Sequence, residues 1–276
     1  LWIHHFGKGL VRSPNNFGFK GDLPTNPALL DWMASELRRN GGKTKPLQRL
    51  IVLSEAYRLA SIHPRQAEFA NKDPENKLWW RAERRRVDAE SLRDAALVVT
   101  GELDRKLGGP SFKGDVDPDA LEGLSTKTAA WKASPPAAQL RRSVYSYVQR
   151  SLAPPLLATF DLCDSSEPCG QRETTMVAPQ ALALLNNRFF HERSEKLAAK
   201  IALQGSAREE QIRQAWRAVL GRPPSATETR IALEHLDAQA ARFAERSAPA
   251  GKNAAGMALA SLCHSLINAN EFLYID

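Results

Sequence analysis

Cysteine is scarce in this chain, with only Cys163, Cys169 and Cys263 among 276 residues. The motif Cys-x-x-Cys-His is absent, so this chain attaches no c-type haem of its own. The spacing from Cys163 to Cys169 is not that of a zinc site. Two interpretations of this pair stay open. One is a short-loop disulfide in an oxidising compartment. The other, which we favour because connectivity cannot be read from sequence, is a loop thiol with Cys263 buried elsewhere.

Long hydrophobic runs and internal repeats are also absent. No apolar stretch approaches the roughly 20 residues that span a bilayer, so the sequence predicts no transmembrane segment. Acidic residues are in modest deficit: 38 basic and 31 acidic side chains give a net charge of +7. This excess permits binding to nucleic acid or to an anionic surface without requiring it. The hydrophobic fraction of 43% is enough for a buried core.

The first residues are apolar, Leu1, Trp2 and Ile3. Because natural chain termini are usually loose and polar, we expect this sequence to be a piece of a longer protein.

Periodic apolar residues between capping residues predict a mainly α fold, an irregular multi-helix domain with at most a short strand pair. Two Ser-x-x-Glu sequences, at Ser206 and at Ser225, are predicted capping boxes. The predicted helices are Thr25–Asn40, Pro46–Ala60, a helix through Leu92 that ends between Leu103 and Leu107, one helix from Pro179 onward, two helices between Ser206 and Phe243, and Ala254–Asn270.

The remaining segments are predicted to be less regular. Ile62–Lys77 is polar and contains two prolines, so we expect a loop. Ser111–Gln139 predicts an exposed loop or insertion, and β-branched and aromatic residues in Arg141–Ser151 predict a short strand. The organisation is therefore an N-terminal helical part (1–110), an insertion (111–140) and a C-terminal helical part (141–276), forming one compact unit.

A set of phrases in a fixed order carries a family resemblance. They are HHFGKGLVRSPNNFG, NPALLDWMA, LIVLSEAYRLAS, RRRVDAESLRDAAL, GGPS, RRSVY, CGQRETTMVAPQALALLNN, VLGRPPSATE and NANEFLYID. Together they resemble the planctomycete-type domain of unknown function at the C-terminal end of cytochrome-c-associated multidomain proteins. The resemblance implies an exported protein of the periplasm or cell envelope, with neighbouring domains that include a cytochrome-type module carrying haem c. No catalytic residues are established for that family, so none is carried over to this chain. We expect no cofactor in this fragment. Cys163 departs from the family pattern.

Trp79 and Trp80 with Arg84, Arg85 and Arg86 form a candidate anion or ligand patch. Arginine can bind phosphate, sulfate or carboxylate, and tryptophan can stack on a base or a sugar. We favour internal ion pairing of these arginines over nucleic-acid binding. The nearby carboxylates are Glu83, Asp88, Glu90 and Asp94.

The candidate anion or ligand patch also includes Arg172, Thr174 and Thr175. These residues precede the helix predicted from Pro179, and the N-terminus of a helix can bind anions. The alternative is a capped helix entry in which Arg172 holds an acid. Cys169 acting as a nucleophile, with His191 or His264 as its base, is a weaker hypothesis without a local motif.

His4 and His5 are candidate ligands for a metal or haem of a neighbouring domain. Their side chains diverge on either a helix or a strand, so they do not readily share one metal, and we assign no metal site. We favour one histidine hydrogen-bonded in the core and one exposed.

The function we favour is a non-catalytic helical interaction module of an exported multidomain protein. The first alternative is an enzyme acting on polysaccharide or sulfated glycan, with Asp88, Glu90 or Asp161 as acid and base. The second is a nucleic-acid-binding module that uses Arg84, Arg85 and Arg86. Converging carboxylates in a cleft would favour the enzyme hypothesis. A continuous basic face would favour nucleic-acid binding. An exposed apolar patch would favour the interaction module.

Overall fold

A computed structural model shows a mainly α-helical protein, as predicted. The structure describes residues 1–116, 121, 131–150, 152–166, 168–205, 207–245 and 253–275. Within these ranges the sheet content is one short antiparallel pair, β1 (Arg85–Arg86) with β2 (Tyr274–Ile275), in which Arg85 lies opposite Ile275.

The chain divides into two compact units. The first unit comprises Leu1–Arg86, Cys169–Gln171 and Tyr274–Asp276, and the second comprises Val87–Pro168 and Arg172–Leu273. The predicted parts 1–110, 111–140 and 141–276 cut the chain at other places. Much of the predicted insertion, 117–120 and 122–130, lies outside the described residues.

In the first unit, short helices surround an apolar cluster. Helix α2 begins after Asn26, whose side chain accepts a hydrogen bond from Leu29 N at 3.0 Å. Phe6, Leu10 and Met33 are buried in the cluster. The helices are α1 (Trp2–Phe6), α2 (Pro27–Arg39), α3 (Thr44–Leu53), a 3₁₀ turn (Ala56–Arg58) and α4 (Gln66–Lys72).

The second unit is a larger helical assembly whose core lies between its long helices. Phe190, Ile212 and Ile267 are fully buried there. The helices are α5 (Ala89–Thr100), 3₁₀ turns (Ala138–Leu140 and Ser143–Tyr145), α6 (Pro155–Thr159), α7 (Ala178–Asn186), α8 (Arg188–Ala202), α9 (Arg208–Leu220), α10 (Ala226–Ala244), α11 (Ala254–Ile267) and α12 (Asn270–Leu273).

Helix boundaries differ from the prediction at three places. Helix α3 ends at Leu53 because Ser54 is extended. Helix α5 ends at Thr100 because Gly101 adopts the left-handed conformation that closes a helix, with φ of 79°. The helix predicted from Pro179 is two helices, α7 and α8, since Asn187 is extended and its side chain caps α8 through Phe189 N.

The predictions for two segments, one expected to be a loop and one expected to be a strand, were wrong. The predicted loop Ile62–Lys77 contains helix α4. The predicted strand Arg141–Ser151 contains a 3₁₀ turn at Ser143–Tyr145 instead, because Asp94 accepts hydrogen bonds from Ser143 N and Oγ, both at 2.7 Å. Tertiary contacts outweigh the β propensity of this segment.

The two predicted capping boxes have different outcomes. At Ser225 the box is confirmed, with the Ser225 side chain accepting from Glu228 N and the Glu228 side chain accepting from Ser225 N. Ser206 lies outside the described residues, and helix α9 begins after Ala207, whose side chain forms no cap.

Candidate functional site

A cleft of about 590 Å³ opens in the second unit between helices α8 and α11, next to the end of α10. We name it the histidine cleft after two of its lining side chains. Most of its wall is apolar and many of its residues are small, which leaves room between the two helices. The lining residues used below are His191, Ser194, Lys196, Ala199, Ser261 and His264.

Asparagine caps fix the first turns of the two helices that form the cleft. The Asn187 side chain accepts from Phe189 N at 2.9 Å at the start of α8. The Asn253 side chain accepts from Gly256 N at 2.7 Å at the start of α11. Each cap satisfies a backbone N–H that has no partner inside its helix, so both walls begin at a defined position.

The imidazoles of His191 and His264 stack at one end of the cleft, with ring centroids 4.2 Å apart and planes 7° apart. His264 Nδ1 lies 3.3 Å from Ser194 Oγ. His264 Nε2 is shielded from solvent and has no hydrogen-bond partner within the described part of the chain. Burial, followed by the charge of His191, lowers the pKa of His264. The half-buried His264 ring is therefore neutral at pH 7.

A second histidine–serine contact lies beside the cleft. His235 Nε2 is 3.1 Å from Ser261 Oγ, and Ser261 lines the cleft. Burial lowers the pKa of His235, so this ring is also neutral at pH 7. The hydroxyls of Ser194 and Ser261, which line the cleft, thus each lie beside a neutral imidazole.

The geometry does not support a nucleophilic serine. Ser194 is only 1% exposed, and its hydroxyl donates to Phe190 O at 2.8 Å. A serine that is inaccessible and already donating its proton to a carbonyl cannot attack a substrate. Across the described ranges, no three His, Cys, Asp or Glu side chains lie where they could hold a metal together.

Trp79 and Trp80 of the predicted patch pack inside the first unit. The Trp79 ring contacts the rings of Trp2 and Phe6, with centroid distances of 5.4 and 4.9 Å. Trp80 stacks on Phe69 at 5.7 Å, and its Nε1 donates to a backbone carbonyl. Both rings are used in packing, so neither is presented as a flat stacking surface for a base or a sugar.

Arg84, Arg85 and Arg86 also belong to the first unit, where Arg85 Nη1 donates to His4 O at 3.1 Å. Arg84 and Arg86 have partners of their own.

The carboxylates expected to pair with these arginines contact other groups. Glu83 binds Lys8 at 2.8 Å, Asp88 caps α5 through Ser91 N, and Asp94 accepts from Ser143.

Arg172, Thr174 and Thr175 lie in the second unit. Arg172 forms a bidentate ion pair with Glu90, so it holds an acid as in the alternative interpretation. The helix entry itself has no side-chain cap, since Val177 occupies the cap position of α7. Thr174 is exposed. Thr175 donates from its backbone N and its hydroxyl to Asp161 at 2.9 and 2.7 Å. Both Glu90 and Asp161 are therefore occupied by structural contacts.

The remaining predicted residues have separate locations. His4 is exposed, while His5 Nδ1 lies 3.0 Å from Leu1 O and its ring contacts Tyr57. Cys163 and Cys169 are each disulfide-bonded, so Cys169 has no free thiol to act as a nucleophile.

Cys263 is the free cysteine and is fully buried. Burial raises the pKa of its thiol to about 12, so it is inert.

Sequence reasoning named His191 and His264 only as alternative bases for Cys169, and it did not pair them. Their separation of 73 positions hides the contact. The sequence signal that could have indicated a cleft between these helices is the small residues that both carry. They are Ala198 and Ala202 on α8, and Gly256 and Ala260 on α11.

The fold and the cleft define a mainly α-helical protein whose second unit contains a cleft of small-molecule size. The chain belongs to the family PSD1, described as a protein of unknown function (DUF1553), which it matches over residues 1–236. No curated protein and no solved structure matches the chain. None of the helices in the described ranges combines the length and apolarity needed to cross a membrane.

Proposed function

We propose that this chain is a non-catalytic helical interaction module of an exported, cytochrome-c-associated multidomain protein of planctomycete type. Its partners would be the neighbouring domains of that protein, including the cytochrome-type module, in the periplasm or cell envelope. Membership of the family places the chain among domains of unknown function. The exported setting and the haem c of a neighbouring domain rest on the ordered phrases of the sequence.

The observation that carries the proposal is a hydrogen-bonded loop, Ser13–Thr25, which we name the docking loop. Its apolar side chains point away from the core: Phe17 is 78% exposed, Leu23 is 87% exposed, and Phe19 is fully exposed. Three such residues close together on one loop are typical of a surface that a partner covers.

The docking loop is held in shape by its own hydrogen bonds. Ser13 Oγ accepts from Asp22 N at 2.8 Å, and Gly18 N donates to the Asn16 side chain at 3.1 Å. Thr25 N donates to Leu10 O at 2.8 Å, which ties the end of the loop to the core. A preorganised loop loses less conformational entropy on binding, so its exposed apolar area contributes more of its free energy to affinity.

The excess positive charge of the chain lies in the first unit, which contains the docking loop. The first unit has 16 basic and 9 acidic side chains, a net charge of +7, while the second has 22 of each. An acidic partner surface around an apolar depression would complement the loop and its unit.

The enzyme alternative gains no support from the carboxylates that it needs. Asp88 caps a helix, Glu90 binds Arg172, and Asp161 accepts two hydrogen bonds from Thr175. Among the described residues that line the histidine cleft, Glu195 is the one carboxylate, whereas glycoside hydrolysis requires a facing pair.

We expect a triple variant, Phe17→Ser with Phe19→Ser and Leu23→Ser, to weaken binding to the remaining domains of the parent protein by about 100-fold. The loss follows from removing the apolar anchors while leaving the backbone hydrogen bonds in place. Biolayer interferometry with the immobilised remaining domains measures the effect.

The matched control is Leu182→Ser with Leu185→Ser, two exposed leucines of the second unit, for which we expect unchanged affinity. Equal affinity of wild type and the docking-loop variant would contradict the proposal, as would no binding at roughly 0.1 mM.

The charge of the first unit is the observation that favours nucleic acid as a second candidate. We expect no binding to single- or double-stranded oligonucleotides tighter than about 10⁻⁴ M at physiological salt. Trp79 and Trp80 are used in packing, and Arg85 is engaged with a backbone carbonyl. Fluorescence anisotropy at low and moderate salt checks this.

Tight binding that collapses with salt would place nucleic acid first. The control is a variant that combines Arg84→Ala, Arg85→Ala and Arg86→Ala. Loss of the binding in this variant, while it remains folded, would assign the binding to these arginines.

A further inference from the structure

The histidine cleft has the size and lining of a small-molecule site. Its volume of about 590 Å³ lies within the range of about 300–1,000 Å³ that ligand sites occupy. Alanines at 198, 199, 202 and 260 form much of its wall, and Phe243 and Met257 add an aromatic ring and a polarisable thioether. Thioethers and aromatic rings both pack well against aromatic guests.

The two stacked histidines both line the cleft. His191 is exposed and lines the cleft, and it lies parallel to the half-buried His264. A metal bridging these rings lacks further protein ligands, because no third metal-binding side chain joins them within the described residues. An exposed ring at the end of an existing stack is a surface on which a further flat ring can pack.

The permanent charges of the cleft's described lining residues cancel. Glu195 and Lys196 both line it, and Lys196 is also paired with Glu102. Among the described lining residues there is therefore no excess positive charge to hold an acid and no excess negative charge to hold an amine. Ser261 and Asn253, which also line the cleft, are neutral hydrogen-bonding groups.

We propose that the histidine cleft binds a small, neutral, planar aromatic molecule that carries a hydroxyl or carbonyl group. The aromatic ring packs against the alanine wall and the His191 ring, and the polar substituent exchanges hydrogen bonds with neutral groups such as Ser261. This site is independent of the docking loop, which belongs to the other unit.

The test uses 2-naphthol as the probe, with naphthalene-2-carboxylate as its charged counterpart, titrated into the whole chain by isothermal calorimetry. We expect saturable binding of 2-naphthol with Kd of roughly 1 mM or tighter, and binding of the carboxylate at least about threefold weaker. Ala199→Phe, which fills the cleft from an exposed position, should weaken 2-naphthol binding at least about tenfold. His191→Ala should weaken it about three- to tenfold.

The matched control is Ala255→Phe, since Ala255 is exposed on α11 and lies outside the cleft lining. It should leave the affinity unchanged, and circular dichroism should show that every variant is folded. If Ala199→Phe does not fold, the test depends on His191→Ala, a substitution at an exposed side chain, and on its expected loss of 2-naphthol affinity. The proposal is overturned by no saturable binding of 2-naphthol, by equal affinity of wild type and the cleft variants, or by a carboxylate that binds as tightly as the naphthol.

Discussion

Trp216→Ala is expected to lower the free energy of unfolding by about 3–5 kcal/mol, the usual cost of truncating a buried aromatic side chain. Trp216 is 6% exposed and lies on the apolar face of helix α9, next to the fully buried Ile212 and Ala215. Removing the indole leaves a cavity that these rigid neighbours cannot fill. Urea denaturation followed by circular dichroism measures the change.

Trp32→Ala is the matched control, because the same substitution is made at a side chain that is 46% exposed. We expect it to cost under about 1 kcal/mol. Equal denaturation midpoints for Trp216→Ala and wild type would show that α9 does not pack as described.

Arg93→Ala is expected to destabilise the protein by about 3–5 kcal/mol, since a buried guanidinium satisfies several backbone groups at once. Arg93 Nη1 donates to Arg141 O at 3.2 Å and to Ser143 Oγ at 3.1 Å, and Nη2 donates to Gln139 O. The same guanidinium lies over the Phe112 and Phe189 rings, 5.0 and 5.3 Å from their centroids.

Burial lowers the pKa of Arg93 to about 10, so the guanidinium is still charged at neutral pH. Differential scanning calorimetry at pH 7 measures the loss. Arg213→Ala removes an exposed arginine paired with Glu210 and should change stability by less than about 0.5 kcal/mol. A similar small effect at Arg93 would contradict its role in anchoring residues 139–143.

Local signals in the sequence predicted the helices that depend on local contacts. Asn26 and Ser225 cap helices through hydrogen bonds to residues three positions away, so the information lies within one turn. Trp216 could be placed in the core because its helix has a regular apolar face.

Segments fixed by distant contacts could not be predicted in the same way. The short sheet joins Arg85 to Ile275, and two arginines in sequence give no strand signal. Ser143 is held by Asp94, which is 49 positions away, and this contact replaces the strand that Val144 and Tyr145 favour.

The candidate site was the least predictable feature. The basic and aromatic residues that drew attention in the sequence are used for packing and internal contacts, as Trp79 and Arg172 show. The sequence does not distinguish the exposed phenylalanines of the docking loop from buried apolar residues, because it does not show which side chains the fold leaves exposed to solvent.

Hydrogen–deuterium exchange tests the proposed interaction module most directly. The chain is measured alone and with the remaining domains of its parent protein at saturating concentration. We expect the amides of Asn15–Leu23 to exchange at least about tenfold more slowly in the complex, while those of helix α9 stay unchanged. Identical exchange of Asn15–Leu23 in the two states, with or without protection elsewhere, would contradict docking through this loop.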